Sequence, residues 1–409
     1  MEADLTPAAL TVAPLAWRKP AGGAATGTAR LILSKDKLTG IDRLALDGAG
    51  IQVRGSISAV GGKLDVVRLD RAVIGRTDVK GTIRLPRIGP IGVDIAGPAL
   101  DISSKLLEKL SKRDPTAAEP PAGPAWSMRG RFDRVFLARD QIANQVTVEA
   151  EHDGRLFRGL LIAGSGGGGK PFSMQIGQGQ AANGRPVRRV TIDAADAGNL
   201  LGGLDITDTI QGGALTVAGD FNDTTRDHTL SGTLELTDFR VTRAPALGKL
   251  LQAVTLYGLV DALSGPGLSF TRLTAPFQFN DDMLMFHDAM AFSPSLGLTA
   301  KGRIDRNADR LDVQGTLVPA YVFNSLLGRI PFIGGLFSVE KGGGLFAMNY
   351  SLRGPADNPT IAANPLSVVT PGILRGMFGM FDRAPSGPRP AGPQPPLDRE
   401  TSGGNAQQP

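Results

Sequence analysis

Apolar and polar residues alternate with period two through most of this chain, in short runs broken by glycine. Ile41-Asp42-Arg43-Leu44-Ala45-Leu46-Asp47 alternates and stops at Gly48-Ala49-Gly50, and Val79-Lys80-Gly81-Thr82-Ile83-Arg84-Leu85 repeats the pattern. Side chains on successive strand residues point to opposite faces, so this spacing predicts half-buried antiparallel strands. Related units recur at residues 126–132, 214–221, 230–236, 298–304 and 311–317, most of them close to the form apolar-x-x-Gly-x-apolar. The spacing between units is irregular, which makes a loose repeat and not a strict solenoid register. A glycine in mid-strand marks a bend or bulge.

Helical segments interrupt the strands. Residues 245–263 are apolar almost all round, the pattern of a buried or lipid-facing helix. Residues 319–337 are similar but divided at Pro331, which removes a backbone donor. Thr370 and Pro371 form a helix start, ahead of an apolar face of Met377, Phe378, Met380 and Phe381. A shorter helix is predicted over 103–112. The chain then divides into a β-rich repeat region (1–114), a Pro/Ala-rich linker (115–125), a second β-rich region (126–383) and a disordered Pro/Gly-rich tail (384–409).

Composition narrows this picture. Of 409 residues, 54 are glycine and 29 proline, and aromatics make up only 5%. The core is therefore mostly Leu, Val, Ile and Ala in many short strands, not a helical bundle. With no cysteine, disulfides, thiol nucleophiles and zinc ribbons are excluded. His152, His228 and His287 lie far apart, so a histidine metal site is not expected. The net charge of +5 is mild, without the aromatic–basic interleaving of a nucleic-acid surface. The first residues carry no signal-peptide pattern, and no run reaches 18 apolar residues. Such a chain is either cytosolic or the C-terminal part of a longer one that carries its targeting segment upstream.

The catalytic motifs fail on inspection. Gly164-Ser165-Gly166-Gly167-Gly168-Gly169-Lys170 matches a phosphate-binding loop until position eight, where Pro171 replaces the magnesium-binding hydroxyl. Phe172-Ser173-Met174-Gln175-Ile176 then alternates like a strand, so a hairpin loop is the reading here. Asp281 and Asp282 follow Asn280 in a turn, and Asp193 and Asp196 fit a strand end leading to a helix cap. No catalytic residue, cofactor or metal is expected, and the chain is read as non-enzymatic. The residues alone leave a two-sheet sandwich core and an open trough both possible.

From Thr191 onward the sequence resembles the AsmA-like family of bacterial envelope proteins, the YhdP and TamB type. The matching stretches are Asp193-Ala194-Ala195-Asp196-Ala197-Gly198-Asn199-Leu200-Leu201, Ala244-Pro245-Ala246-Leu247-Gly248-Lys249-Leu250-Leu251 and Gly315-Thr316-Leu317-Val318-Pro319-Ala320-Tyr321-Val322-Phe323-Asn324. Gly342-Gly343-Gly344-Leu345-Phe346-Ala347 and Pro371-Gly372-Ile373-Leu374-Arg375 complete the set. The strongest match covers 191–381, roughly half the chain. The resemblance implies an elongated, curved antiparallel β-sheet trough with a few short apolar helices near its C-terminal end. It implies phospholipid transfer between inner and outer membrane, and a periplasmic protein anchored in the inner membrane by a segment absent from this chain. Its partners would be phospholipid acyl chains, one or both membranes and an envelope protein, and no nucleic acid. Groove-lining candidates are Phe277, Phe279, Leu284, Phe286, Leu311, Val313 and Leu317. Candidates for capping the trough end or touching a membrane are Leu251, Val254, Phe323, Phe332, Phe337, Phe378 and Phe381. The alternative function is an envelope assembly factor that binds partner proteins through exposed strand edges.

Overall fold

The computed structural model describes residues 1–34, 37–109, 122–225, 227–253, 266–280, 283–319, 347–355 and 358–366. The N-terminal residues form β1 (Glu2–Asp4) and a small ribbon of β2 (Leu10–Val12) and β3 (Trp17–Lys19). Next come β4 (Ala25–Ser34), β5 (Lys37–Gly48), β6 (Ile51–Val60), β7 (Lys63–Ile74), β8 (Thr77–Arg84) and β9 (Ile91–Asp101), then helix α1 (Ser103–Lys109). β10 (Trp126–Phe136), β11 (Ile142–His152), β12 (Phe157–Ser165), β13 (Pro171–Gln180) and β14 (Pro186–Ala194) lead to α2 (Ala197–Gly203). β15 (Ile210–Phe221) and β16 (Leu230–Val241) precede α3 (Pro245–Ala253). β17 (Leu268–Asn280), β18 (Met283–Phe292), β19 (Leu296–Asp305), β20 (Arg310–Pro319), β21 (Ala347–Pro355) and β22 (Thr360–Leu366) follow.

All strands but β2 and β3 belong to one 20-stranded sheet. β1 pairs with β4, and from β4 to β22 each strand pairs with the next in the chain. The result is an open, curved meander, the mainly β trough that the family resemblance implies. One step departs from the antiparallel rule. β9 and β10 run parallel, Trp126 beside Ile91 and Phe136 beside Asp101. Parallel neighbours need a crossover, and α1 lies in it. β9 and β10, on either side of the segment read as a linker, thus belong to the same sheet.

The meander gives every strand two distinct ends. At one end, short hairpins join β4 to β5, β6 to β7, β11 to β12 and so on; this is the tip end. The other end carries α1, α2, α3 and the N-terminal ribbon, and is the capped end. Both apolar cores lie there. One groups Ala72, Val79, Phe132, Val135, Leu137, Ala143 and Val146, with Leu106 of α1 packed on it. The other includes Leu215, Leu236, Phe239, Leu268, Phe270, Leu296 and Leu317, beneath Leu250 and Leu251 of α3.

Local sequence explains these caps. Asp196 accepts a hydrogen bond from the Asn199 backbone N–H at 2.9 Å and so caps α2, as its position after a strand predicts. The glycine-rich segment after Leu160-Leu161-Ile162 is the hairpin between β12 and β13, with Pro171 opening the second strand. α3 begins at Pro245 as expected, and the rest of the predicted 245–263 helix lies outside the described residues. Of the predicted helix at 319–337, Pro319 instead ends β20 and the rest lies outside the described residues, as do the predicted helix after Thr370 and the tail at 384–409.

Candidate functional site

The site is the apolar face of the sheet, and strand register builds it. Residues paired across neighbouring strands share a face, so one row can be followed from strand to strand. It starts at Leu31 and runs through Ile41, Ile57, Val67, Ile83 and Val93 to Met128 across the parallel step. It continues through Ala150, Leu160, Ile176, Val190, Gly219 and Gly232. Phe277, Phe286, Gly302, Val313, Leu352 and Ile361 complete it. Every strand from β4 to β22 contributes one member, and each member is apolar or glycine. At a strand spacing of about 4.8 Å, the row follows a contour of roughly 85 Å.

A second row, nearer the tips, passes through Phe221, Leu230, Phe279, Leu284, Ile304 and Leu311. The seven candidate lining residues therefore all share the apolar face. Phe277 pairs with Phe286 and Phe279 with Leu284. They do not share one environment, however. Leu317 is fully buried in the core under α3, and Val313 is 7% exposed there. Phe277, Phe286 and Leu311 pack against that core, whereas Phe279 and Leu284 lie outside it and are half-buried. Among the capping candidates, Leu251 is fully buried in the same core. Val254, Phe323, Phe332, Phe337, Phe378 and Phe381 lie outside the described residues.

The opposite face is polar and cross-linked. Arg71–Asp78, Arg84–Asp94, Arg189–Asp220 and Arg353–Asp312 bridge neighbouring strands across it. Exposed pairs of this kind each contribute at most about 1 kcal/mol, so they serve solvation more than stability. A cleft of about 770 Å³ lies around the parallel step and mixes Arg68, Lys80, Arg129 and Glu149 with Leu69, Ile95 and Leu161. Among the described residues no group of His, Asp and Glu has metal-ligand spacing, and no helix is long and apolar enough to cross a membrane.

Two features of the apolar face go beyond what the sequence predicts. Arg188, side chain 9% exposed, pairs with Phe221 on the second row. Its guanidinium lies 3.9 Å from the Phe221 ring centre and donates to both carboxylate oxygens of Asp223, at 3.0 and 2.8 Å. That fork neutralises an arginine turned toward the apolar side at this tip, and holds the Asp223 carboxyl below its ordinary range. Further along the tip end, Trp126 stacks on His152 at 5.2 Å, with Phe157 edge-on to both. The signal for both lies in the alternation: Arg188 and Trp126 each occupy an inward position of a strand.

Comparison of the chain with protein-family models, curated proteins and solved structures finds no match in any of the three. The AsmA-like resemblance thus rests on the residue stretches quoted above.

Proposed function

We propose that this chain is a non-enzymatic carrier that holds lipid acyl chains along the apolar face of its sheet. The observation that carries this reading is the unbroken apolar row through every strand from β4 to β22. An acyl chain gains roughly 0.8 kcal/mol for each methylene removed from water, so such a row retains it without reading its headgroup. A sandwich would cover this face with a second sheet, whereas one open sheet leaves its tip-end half partly accessible. With the AsmA-like resemblance, the reading becomes conduction of phospholipid between inner and outer membrane, by a periplasmic protein tied to the inner membrane. Native mass spectrometry of purified protein tests it. Wild type carries phospholipid, and the double variant Phe279→Asp, Phe286→Asp loses it while keeping its circular dichroism. A wild type that carries no lipid ends the reading.

One observation favours the second reading, an assembly factor that pairs strand edges. β1 covers β4 only as far as the Met1–Ala29 hydrogen bonds. Beyond them the outer edge of β4 has no strand beside it among the described residues, and Leu31, Ile32 and Leu33 are 42, 46 and 64% exposed. Open, apolar edges accept an added strand. Photo-crosslinking from Ile32 to one defined partner, with an empty apolar face, would decide for this reading.

A further inference from the structure

The hairpins along the tip end are not alike. Four are closed by polar turn chemistry. Asp153 accepts from the Arg155 and Leu156 backbone N–H groups, Asn183 from Arg185, Asn222 from Thr224 and Asp305 from Ala308. The first three tips instead present large apolar side chains to solvent. Leu33 and Leu38 flank the β4–β5 tip, at 64 and 47% exposure; Val60 and Leu64 flank the β6–β7 tip, at 53 and 56%. Ile88 stands on the β8–β9 loop at 93%.

Turn geometry does not demand these residues. Gly61 and Gly62 supply the positive φ of the second tip and Gly89 that of the third, leaving the flanking positions free to be polar. The tips are also neighbours. The β5–β6 ladder reaches the Gly40–Ser58 pair, two residues short of Leu38 and Val60, and Arg87 donates to the Val60 carbonyl at 3.0 Å. The second and third turns hold Lys63 and Arg87 and no acid.

We propose that these three tips dock the protein on the surface of an anionic lipid bilayer. Apolar side chains enter the boundary between headgroups and acyl chains, where they leave water, and the basic residues meet lipid phosphates. The polarity of the later tips confines the contact to the β4–β9 end of the sheet. A protein partner would leave the excess of basic residues without a stated role, and a bilayer uses both the charge and the apolar groups. The proposal does not depend on the groove carrying lipid.

Vesicle flotation tests it, using phosphatidylcholine with and without phosphatidylglycerol. The wild-type chain should float with the anionic vesicles and release as salt rises. Reversing two charges, Lys63→Glu with Arg87→Glu, should weaken binding about tenfold or more. Val60→Ser with Ile88→Ser should weaken it comparably. Ile88→Trp reports directly: its emission should shift to the blue on anionic vesicles and be quenched by brominated lipid. Wild type that ignores anionic vesicles, tip variants that float like wild type, or an unshifted Ile88→Trp emission would each overturn the proposal. So would tips whose substitution abolishes self-association in sedimentation but leaves flotation unchanged. Phe279→Asp, which addresses the groove, should float normally, so the two readings fail separately.

Discussion

The same strands end in two different ways, and the difference separates what holds this protein together from what it offers to a ligand. At the capped end, Leu236, Leu251, Leu296 and Leu317 are essentially fully buried, packed together with α3. At the tip end the same apolar rows continue, but Phe279, Leu284, Ile304 and Leu311 are only half-buried and the first tips are open. No second layer covers them among the described residues. Stability is therefore concentrated at one end of each strand, and the apolar surface left uncovered lies at the other. A carrier needs this division: a face that binds cannot also be filled by its own side chains.

The largest expected effect tests this division directly. Leu317→Ala removes a side chain from the closed core and should cost about 2–5 kcal/mol, because the surrounding helix and strands cannot fully collapse onto the cavity. Leu284→Ala, on the same face but toward the tips, should cost only about 1 kcal/mol, the transfer term for a half-buried side chain. It should nevertheless lower the amount of co-purified lipid. Denaturant midpoints compare the two; equal losses would mean that the core extends to the tips and that the face is filled.

How far the sequence discloses this division follows from what alternation encodes. Period two assigns residues to faces, so Phe277 with Phe279, and Leu284 with Phe286, share strand parity from their spacing alone, whereas the register that sets Phe277 against Phe286 and Phe279 against Leu284 comes from the fold. Alternation says nothing about pairing between strands distant in the chain, or about bulges that slip the register, such as the one between Thr274 and Phe277. It also cannot show that β9 and β10 run parallel, because direction depends on where the crossover returns the chain. The burial of Leu317 beneath α3 is likewise a tertiary fact: Leu311 and Leu317 have the same parity and different surroundings. The apolar tips are legible as Leu64 and Ile88 beside turn glycines, yet their meaning depends on three loops meeting along one edge.

A smaller effect asks what stiffens the row outside the core. Gly302 lies between Phe286 and Val313 with φ at +151°, and a Cβ there would meet the Asp312 carbonyl oxygen at 2.1 Å. The neighbouring backbone comes too close for a side chain. Gly302→Ala should cost roughly 1–3 kcal/mol through strain. Gly177→Ala is the control, since its nearest neighbour is the Gln175 amide nitrogen at 4.0 Å, and it should be close to neutral. If both alanines are tolerated equally, close strand approach does not support the open part of the face.

The smallest effect is acid loosening confined to one tip. Between β15 and β16, the Arg188 fork lowers the Asp223 carboxyl against the opposing effect of burial. Hydrogen bonds from Asn280 and from Thr225 and Thr229 bring Asp227 down from 3.8 to about 2. A carboxyl whose folded pKa is depressed stabilises the fold above its unfolded pKa, and this contribution is lost as pH falls through the folded value. The tip should thus be unaffected at neutral pH and lose its contribution progressively below about pH 4, down to about pH 2. The capped-end core around Leu236 and Leu317 consists of apolar groups with Tyr350, whose hydroxyl burial pushes far above the neutral range, so it contains no carboxyl to protonate. Hydrogen exchange across pH 5 to about pH 2.5 should show protection falling at residues 219–232 before it falls at 313–318. Asp223→Asn should remove part of the pH dependence at the tip alone. Simultaneous loss at both ends would mean that tip and cap open as one unit, which would undo the comparison from which the division of labour is drawn.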